Sequence, residues 1–455
     1  MKIKLTRKKR IFYIVLTIVL ELILAVLVIY GIRSSALMTS SAVGGAVLLL
    51  MLLIPVLLVA LLLAVIAGKK KGTEKTRAAA APATSTTPKS PAPATEGTRF
   101  STLSEIDRES HSYSHRTYDR GVTLDRFCED FRNFAAYKMS LYYEIDDIRR
   151  FIAGMAVSKI LILQGMSGTG KTSLANAFGE FVENGSTVIP VQPMWKERTD
   201  LIGYYNEFTK HFNETTLLKV MYKANYSQDM FVTVLDEMNI ARVEYYFAEF
   251  LSLLELPNPE KRQLVVVSDT WESDPKLLKK GCIKLPENMW FIGTANNDDS
   301  TFAISDKVYD RAMILDLDKK SEPFTAPATR CTHLSAGDFF RLTEAATKEF
   351  SVSSRNRKRL QQLDQYLIDH FHITFGNRIM KQINQYIPVY IACGGDELVA
   401  LDDILAKKII RKLETQNPIY LRKAADDLLK YLEDLFGPEH MTACKDAIKR
   451  LQRNA

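Results

Sequence analysis

Cysteine is scarce in this chain of 455 residues, which contains five cysteines. Their number is odd, they lie far apart, and no CxxC pair or Cys/His cluster occurs. A disulfide framework or a structural zinc site would require such clusters, so the sequence indicates neither. We interpret the cysteines as reduced thiols of a cytosolic domain.

Excess positive charge is also lacking over most of the chain, although the total is +7. Residues 1–77 carry twelve Lys or Arg and two Glu, a net charge of +10, which leaves −3 for residues 78–455. The basic character therefore belongs to the N-terminal part. Net charge gives no support for a nucleic-acid-binding face on the rest, and no DNA-reading or nuclease motif is found there.

Two long apolar runs occupy the N-terminal part. Residues 11–32 include sixteen Leu, Ile, Val or Phe residues, and residues 42–67 exceed the roughly 20 residues that a spanning helix requires. Basic residues precede the first run and follow the second, whereas only Arg33 lies between them. We therefore predict a transmembrane hairpin over residues 1–77 with both termini in the cytoplasm. A cleaved signal peptide, ending near residues 34–36, is the alternative for the first run.

A tract rich in Ala, Pro, Thr and Ser follows the hairpin and offers nothing from which to build a core. We predict a flexible linker over residues 78–121, which tethers the remaining chain to the bilayer.

A phosphate-binding motif dominates the soluble region. Residues 159–164 are suited to a buried strand, residues 165–172 read GMSGTGKT and fit GxxxxGK[ST], and a helical pattern follows over residues 173–182. Glycines let backbone N–H groups converge on phosphates at a helix N-terminus, while the lysine reaches the β- and γ-phosphates and the final hydroxyl ligates Mg²⁺. The predicted phosphate-binding residues are Gly165, Ser167, Gly168, Thr169, Gly170, Lys171 and Thr172.

A second apolar run, residues 230–235, ends in Asp236 and Glu237. Alone, such a pair would cap a helix about as often as it would catalyse. After a complete phosphate loop, we predict that Asp236 holds Mg²⁺ together with Thr172 and that Glu237 polarises the attacking water.

The stretch LDEMNIARVEYYFAEFLSLLE over residues 235–255 resembles the second nucleotide motif of AAA+ ATPases of the MoxR, midasin and McrB-type group, although Ile240 replaces the usual Arg. Residues 191–206 and 285–300 are similar to further segments of this group. The resemblance makes Asn296 a sensor of the attacking water. Asp298-Asp299-Ser300 departs from the Asp-Arg-Ser of McrB-type proteins, so ATP rather than GTP is the expected nucleotide.

The same resemblance assigns two arginines. Arg311 matches the arginine finger in the segment SDKVYDRAMILDLD, and Arg378 resembles sensor 2. Each could instead be an ordinary surface or ion-pair arginine. Ile148, on a predicted helix before the phosphate loop, is a candidate contact for the base, although the apolar stripe to which it belongs is also typical of packing.

The resemblance implies an α/β fold: an AAA+ P-loop core, with a parallel five-stranded sheet and helices on both faces, over residues 122–330. A C-terminal helical lid is expected over residues 331–455, including helices at 402–413 and 420–436. For residues 256–283 the sequence leaves open a pore-facing insertion or a long surface connection.

The leading functional hypothesis is a membrane-anchored ATPase that uses ATP and Mg²⁺, assembles into a homo-oligomeric ring, expected to be a hexamer, and remodels or loads an unknown protein partner. One alternative is a nucleotide-gated membrane scaffold with slow hydrolysis. Another is the motor subunit of an McrB-like nucleic-acid defence complex.

Overall fold

The structure is a computed structural model that describes residues 98–113, 116–296, 301–318 and 320–454. Both predicted transmembrane runs lie outside the described residues. Among the residues that are described, no helix is long and apolar enough to cross a membrane.

Within the described residues, three α-helices precede β1 and pack through apolar stripes: α1 (Thr102–Glu109), α2 (Leu124–Met139) and α3 (Ile145–Val157). The stripe on α2 contains Phe127, Phe131 and Phe134, spaced three and four residues apart, and all three are buried. The predicted helix that carries Ile148 is confirmed as α3.

Strands and helices then alternate through the nucleotide-binding region. In chain order they are β1 (Ile160–Gly165), α4 (Lys171–Phe181), β2 (Ser186–Pro190), α5 (Arg198–Ile202), β3 (Tyr205–Asn206), β4 (His211–Phe212), α6 (Thr216–Ala224), β5 (Phe231–Asp236), α7 (Val243–Tyr246), α8 (Ala248–Leu254), β6 (Gln263–Val265), β7 (Cys282–Lys284), β8 (Met289–Asn296), α9 (Asp306–Tyr309) and β9 (Met313–Asp316).

A five-stranded sheet forms the centre of the described region, in the order β2-β5-β8-β1-β9 with every neighbouring pair parallel. Side chains alternate between the faces of a strand, so each face of β1 enters a different apolar core. Leu161 and Leu163 pack with α2, α3 and α4. Ile160 and Ile162 pack with α1, α6 and α8. This confirms the predicted five-stranded parallel sheet with helices on both faces.

From residue 336 onward the described chain is helical, as predicted. The helices are α10 (Ala336–Glu349), α11 (Ser354–Phe371), α12 (Gly376–Ala392), α13 (Glu397–Lys408), α14 (Pro418–Phe436) and α15 (Thr442–Asn454). The helix predicted at 402–413 lies earlier in the chain, at Glu397–Lys408. Asp396 caps its N-terminus by accepting hydrogen bonds from the N–H groups of Leu398 and Val399. A separate 3₁₀ helix then covers Ile410–Thr415.

The predicted flexible linker is wrong from residue 98 onward, because that segment folds onto the nucleotide-binding region. Phe100 and Leu103 are fully buried, and Arg99 is 1% exposed. The Arg99 guanidinium donates to Asp269 and Asp274 at 2.8 Å each and stacks over Trp271. These three partners lie more than 100 residues away along the chain, so a composition argument, which detects only a polar stretch, cannot reveal them.

The same contacts clarify residues 256–283. A 3₁₀ helix covers Pro259–Lys261, and β6 pairs antiparallel with β7. Their connection carries Asp269 and Asp274, so part of it forms the binding surface for Arg99.

Replacing Asp274 with alanine should expose the bond after Arg99 to trypsin. The substitution removes the two charged hydrogen bonds that Asp274 accepts from a buried guanidinium, a loss of about 2–3 kcal/mol. The rate at which trypsin cleaves the segment follows the fraction of molecules in which it is transiently open. We expect the fragment that begins at Phe100 to form roughly 30-fold faster or more, as followed by mass spectrometry. Glu272→Ala, in the same loop, is the matched control, and equal rates for the two variants would contradict the anchoring role of Arg99.

Candidate functional site

The phosphate loop connects β1 to α4, and two of its glycines are required by close approach. Gly165 has φ of +143°, and a Cβ there would lie 2.5 Å from the Leu317 carbonyl oxygen. Gly170 has φ of +90°, and a Cβ there would lie 3.1 Å from the Tyr143 hydroxyl. That hydroxyl donates to the Gly170 carbonyl at 3.0 Å, so the segment between α2 and α3 contacts the phosphate loop directly.

Lys171 begins α4 and folds back across its own loop. Its Nζ donates to the carbonyl oxygens of Gly165 at 3.0 Å and Met166 at 2.7 Å, and the residue is 7% exposed. The Thr169 hydroxyl also donates to Met166, at 3.0 Å. The ammonium group is thereby held inside the loop, where phosphate oxygens would replace the carbonyl acceptors.

Three oxygens cluster where β5 and β8 end beside α4. The hydroxyls of Thr172 and Thr294 both donate to Oδ1 of Asp236, at 2.7 and 2.9 Å. Mg²⁺ prefers oxygen ligands, retains several waters and binds few protein groups, usually beside phosphates. A hydroxyl and a carboxylate in contact fit that donor set, so Thr172 and Asp236 could hold the ion as predicted.

Glu237 follows Asp236 in a left-handed backbone conformation, with φ of +53°. This conformation is costly for a residue with a Cβ, and functional sites often contain such strain. The Glu237 N–H donates to the Thr294 hydroxyl at 2.9 Å, which holds the turn in place. The side chain is exposed beside the phosphate loop, where it can reach a water molecule.

Asn296 ends β8 and is the register partner of Gly165 on β1. Its carbonyl oxygen accepts hydrogen bonds from Asn239 Nδ2 and from the Thr301 hydroxyl, at 3.0 Å each. The structure therefore brings Asn296 to the phosphate loop, at the carboxyl edge of the sheet. Asn239, which lies in the stretch that resembles the family's second nucleotide motif, holds the end of β8 in place through this hydrogen bond.

Arg311 and Arg378 lie at the amino ends of the strands, on the side of the sheet opposite the phosphate loop. Arg311 precedes β9, and Arg378 lies in the first turn of α12. Both guanidinium groups contact Glu255, which follows α8: Arg311 Nη2 at 2.8 Å and Arg378 Nη2 at 2.6 Å. The two arginines are thus brought together with each other and kept away from the phosphate loop of their own chain.

Ile148 does not reach the site. It is 0% exposed and packs within the apolar core of α2, α3 and α4. With no surface available to a base, it acts in this structure as a packing residue, as the periodicity of its helix also indicated.

Residues 160–312, about a third of the chain, match the AAA domain family of the dynein-related subfamily. The chain contains an AAA+ ATPase domain. The phosphate loop, Asp236 and Glu237 lie inside the matched residues. Residues 327–455 of the ATPase match a domain of unknown function, DUF8727, which spans α10 to α15.

No curated protein matches this chain. One similar solved structure is that of a "putative ATPase" from Cytophaga hutchinsonii, at 14% identity and a TM-score of 0.38. The similarity covers 64% of this chain and 82% of that one. The assignment as an ATPase rests on the family match together with the fold.

Sequence reasoning missed Tyr143, Thr294 and Glu255. Thr294 had a usable signal, since it lies two residues before Asn296 on the same strand and therefore points to the same face. Tyr143 and Glu255 had none, because their roles depend on contacts with residues that are remote in sequence.

Thr294→Val should lower the ATPase rate about tenfold or more at saturating MgATP, because it removes one hydroxyl from Asp236 and the acceptor of the Glu237 N–H. The shape of the side chain is retained, so nucleotide affinity should change little. Steady-state rates as a function of ATP and of Mg²⁺ would check this. Thr233→Val is the control, because Thr233 is also buried and lies on the neighbouring strand β5.

Proposed function

We propose that this AAA+ ATPase is anchored in the membrane by residues 11–32 and 42–67. There it couples ATP hydrolysis to the remodelling or loading of a protein partner at the cytoplasmic face. The observation that carries the proposal is the division of the candidate active site: one part lies at the carboxyl ends of the strands of the sheet, and the other lies at their amino ends.

This division favours assembly. A strand rises about 3.3 Å per residue, so the two ends of β1 lie roughly 16 Å apart. Arg311 and Arg378 at one edge therefore serve a nucleotide bound by another copy of the chain. A surface that presents arginines to the phosphate loop of the next copy makes head-to-tail contacts, which form a ring when the rotation between copies closes. We infer a homo-oligomeric ring, with six copies as the working number.

Coupling to a partner is supported by an exposed apolar projection. The turn between β3 and β4 carries Phe208, which is 98% exposed, and Tyr204 at its base is 52% exposed. We take this exposed aromatic side chain as a contact for the protein partner. The hairpin base is fixed by the Arg99 segment, whose carbonyl accepts the Phe212 N–H at 2.8 Å.

In the proposed reaction, the loop and Lys171 hold the triphosphate of ATP. Thr172 and Asp236 would hold Mg²⁺, which would neutralise phosphate charge. Glu237 orients the attacking water and Asn296 fixes its position. Arg311 and Arg378 stabilise the charge that develops on the transferred phosphoryl group.

Membrane anchoring and partner capture can be tested together with the full chain. A Glu237→Gln variant should fractionate with membranes through carbonate extraction and retain a partner in the presence of ATP but not ADP. Release by carbonate would contradict the anchor, and identical protein partners with ATP and ADP would contradict ATP-coupled remodelling. A nucleic acid or nuclease as the ATP-dependent partner would instead support the defence-complex alternative.

A further inference from the structure

A cavity of about 690 Å³ opens at the amino edge of the sheet, beside β1 and between α8 and α12. We call it the arginine cavity. Among the described residues that line it, the acidic one is Glu255. The basic ones are Lys159, Arg262, Arg311, Arg378 and Lys381.

Glu255 closes one wall of the arginine cavity by bridging two parts of the chain. One carboxylate oxygen contacts Arg311, which lies between α9 and β9, and the other contacts Arg378 of α12. The Arg311 side chain is 22% exposed and that of Arg378 is 48% exposed, so both can exchange partners with a ligand that enters from solvent.

Two buried nitrogen atoms at the arginine cavity have no hydrogen-bond acceptor among the described residues: Nε of Arg311 and Nζ of Lys159. Lys159 lies over the Trp290 ring at 3.5 Å, and burial lowers its pKa well below the ordinary lysine value. Lys159 faces aromatic rings, which accounts for its lack of an acceptor. Buried donors normally have acceptors, so the unmatched Nε of Arg311 shows that Glu255 and the Lys307 carbonyl satisfy this guanidinium only in part.

We propose that Glu255 regulates the shared site. In the free subunit its carboxylate occupies the position between Arg311 and Arg378 that the terminal phosphate of a nucleotide on a second copy of this chain would take. This inference rests on the proposed ring. The carboxylate is a stand-in: it pairs with one nitrogen of each guanidinium group until the phosphate displaces it.

Charge explains why the exchange can proceed. A terminal phosphate carries up to two negative charges and three acceptor oxygens, whereas Glu255 offers one charge and two oxygens. Two guanidinium groups close together repel each other unless an anion lies between them. Glu255 therefore holds the arginines together before assembly, yet it opposes assembly because its carboxylate must leave the phosphate position.

The test is assembly of the full-length chain in detergent with Mg²⁺ and the non-hydrolysable analogue adenylyl-imidodiphosphate, measured by mass photometry. Glu255→Gln should lower the protein concentration at half-assembly about five- to tenfold. It should also make assembly more sensitive to NaCl. In the wild type, the attraction between the arginines and the phosphate replaces an ion pair within the chain, whereas in the variant this attraction is gained without that loss. Glu249→Gln, which removes a similar carboxylate from α8 where it pairs with Arg198, should change neither property.

Unchanged or weaker assembly of Glu255→Gln, with unchanged thermal stability, would overturn the stand-in role. Glu255→Asp provides a second route if the glutamine variant does not fold: the shorter carboxylate cannot bridge both arginines, and assembly should tighten two- to threefold. No tightening in this variant would also overturn the proposal. If the copies do not assemble through this site at all, Arg311→Ala would also leave assembly unchanged. That result separates failure of the proposed ring from failure of the stand-in role of Glu255.

Discussion

Glu237→Gln should lower the steady-state ATPase rate by about 100- to 1000-fold while leaving ATP affinity within about threefold of the wild type. The amide preserves the size of the side chain and the left-handed turn, but it cannot accept a proton from the attacking water. Nucleotide binding depends on the phosphate loop and on Thr172 and Asp236, which the substitution does not touch.

Phosphate release and binding of a fluorescent ATP analogue, measured on the same preparation, separate the two quantities. Glu207→Gln is the matched control, since Glu207 lies on the β3–β4 turn with its side chain 74% exposed. A Glu237→Gln variant that retains a third or more of the wild-type rate would exclude Glu237 as the general base. It would then favour another group for activation of the water.

The phosphate loop could be predicted from sequence because its chemistry is local. Backbone donors, Lys171 and Thr172 come from eight consecutive residues, and the strand and helix that flank them show their own periodicity. Asp236 and Glu237 were predictable for a related reason, since parallel strands place their carboxyl ends at one edge of the sheet.

The fold of residues 98–113 and the pairing of Arg311 with Arg378 could not be predicted in the same way. A buried arginine such as Arg99 looks like any polar residue of a linker until its distant carboxylates are known. Arg311 and Arg378 were each identified by resemblance, but the resemblance did not reveal that one carboxylate, Glu255, joins them. Contacts between remote segments depend on tertiary packing, which local patterns do not encode.

Arg311→Ala should lower the ATPase rate by about 1000-fold or more, if the arginine contributes to phosphoryl transfer as arginine fingers do. The loss should appear in the rate at saturating ATP rather than in ATP binding by the isolated subunit, because Arg311 lies at the opposite edge of the sheet from its own phosphate loop. Arg330→Ala, whose side chain is 86% exposed, is the control for a surface arginine.

Mixing two inactive variants provides the decisive measurement. Lys171→Ala lacks a working phosphate loop but retains Arg311, whereas Arg311→Ala retains the loop. In a randomly mixed ring, about a quarter of neighbouring pairs place an intact loop against an intact arginine. We expect the mixture to recover a substantial part of that fraction of the wild-type rate, whereas each variant alone stays inactive. Mixed rings seen by native mass spectrometry that stay inactive would contradict a site shared between subunits, because an arginine acting within its own chain cannot be restored by a neighbour.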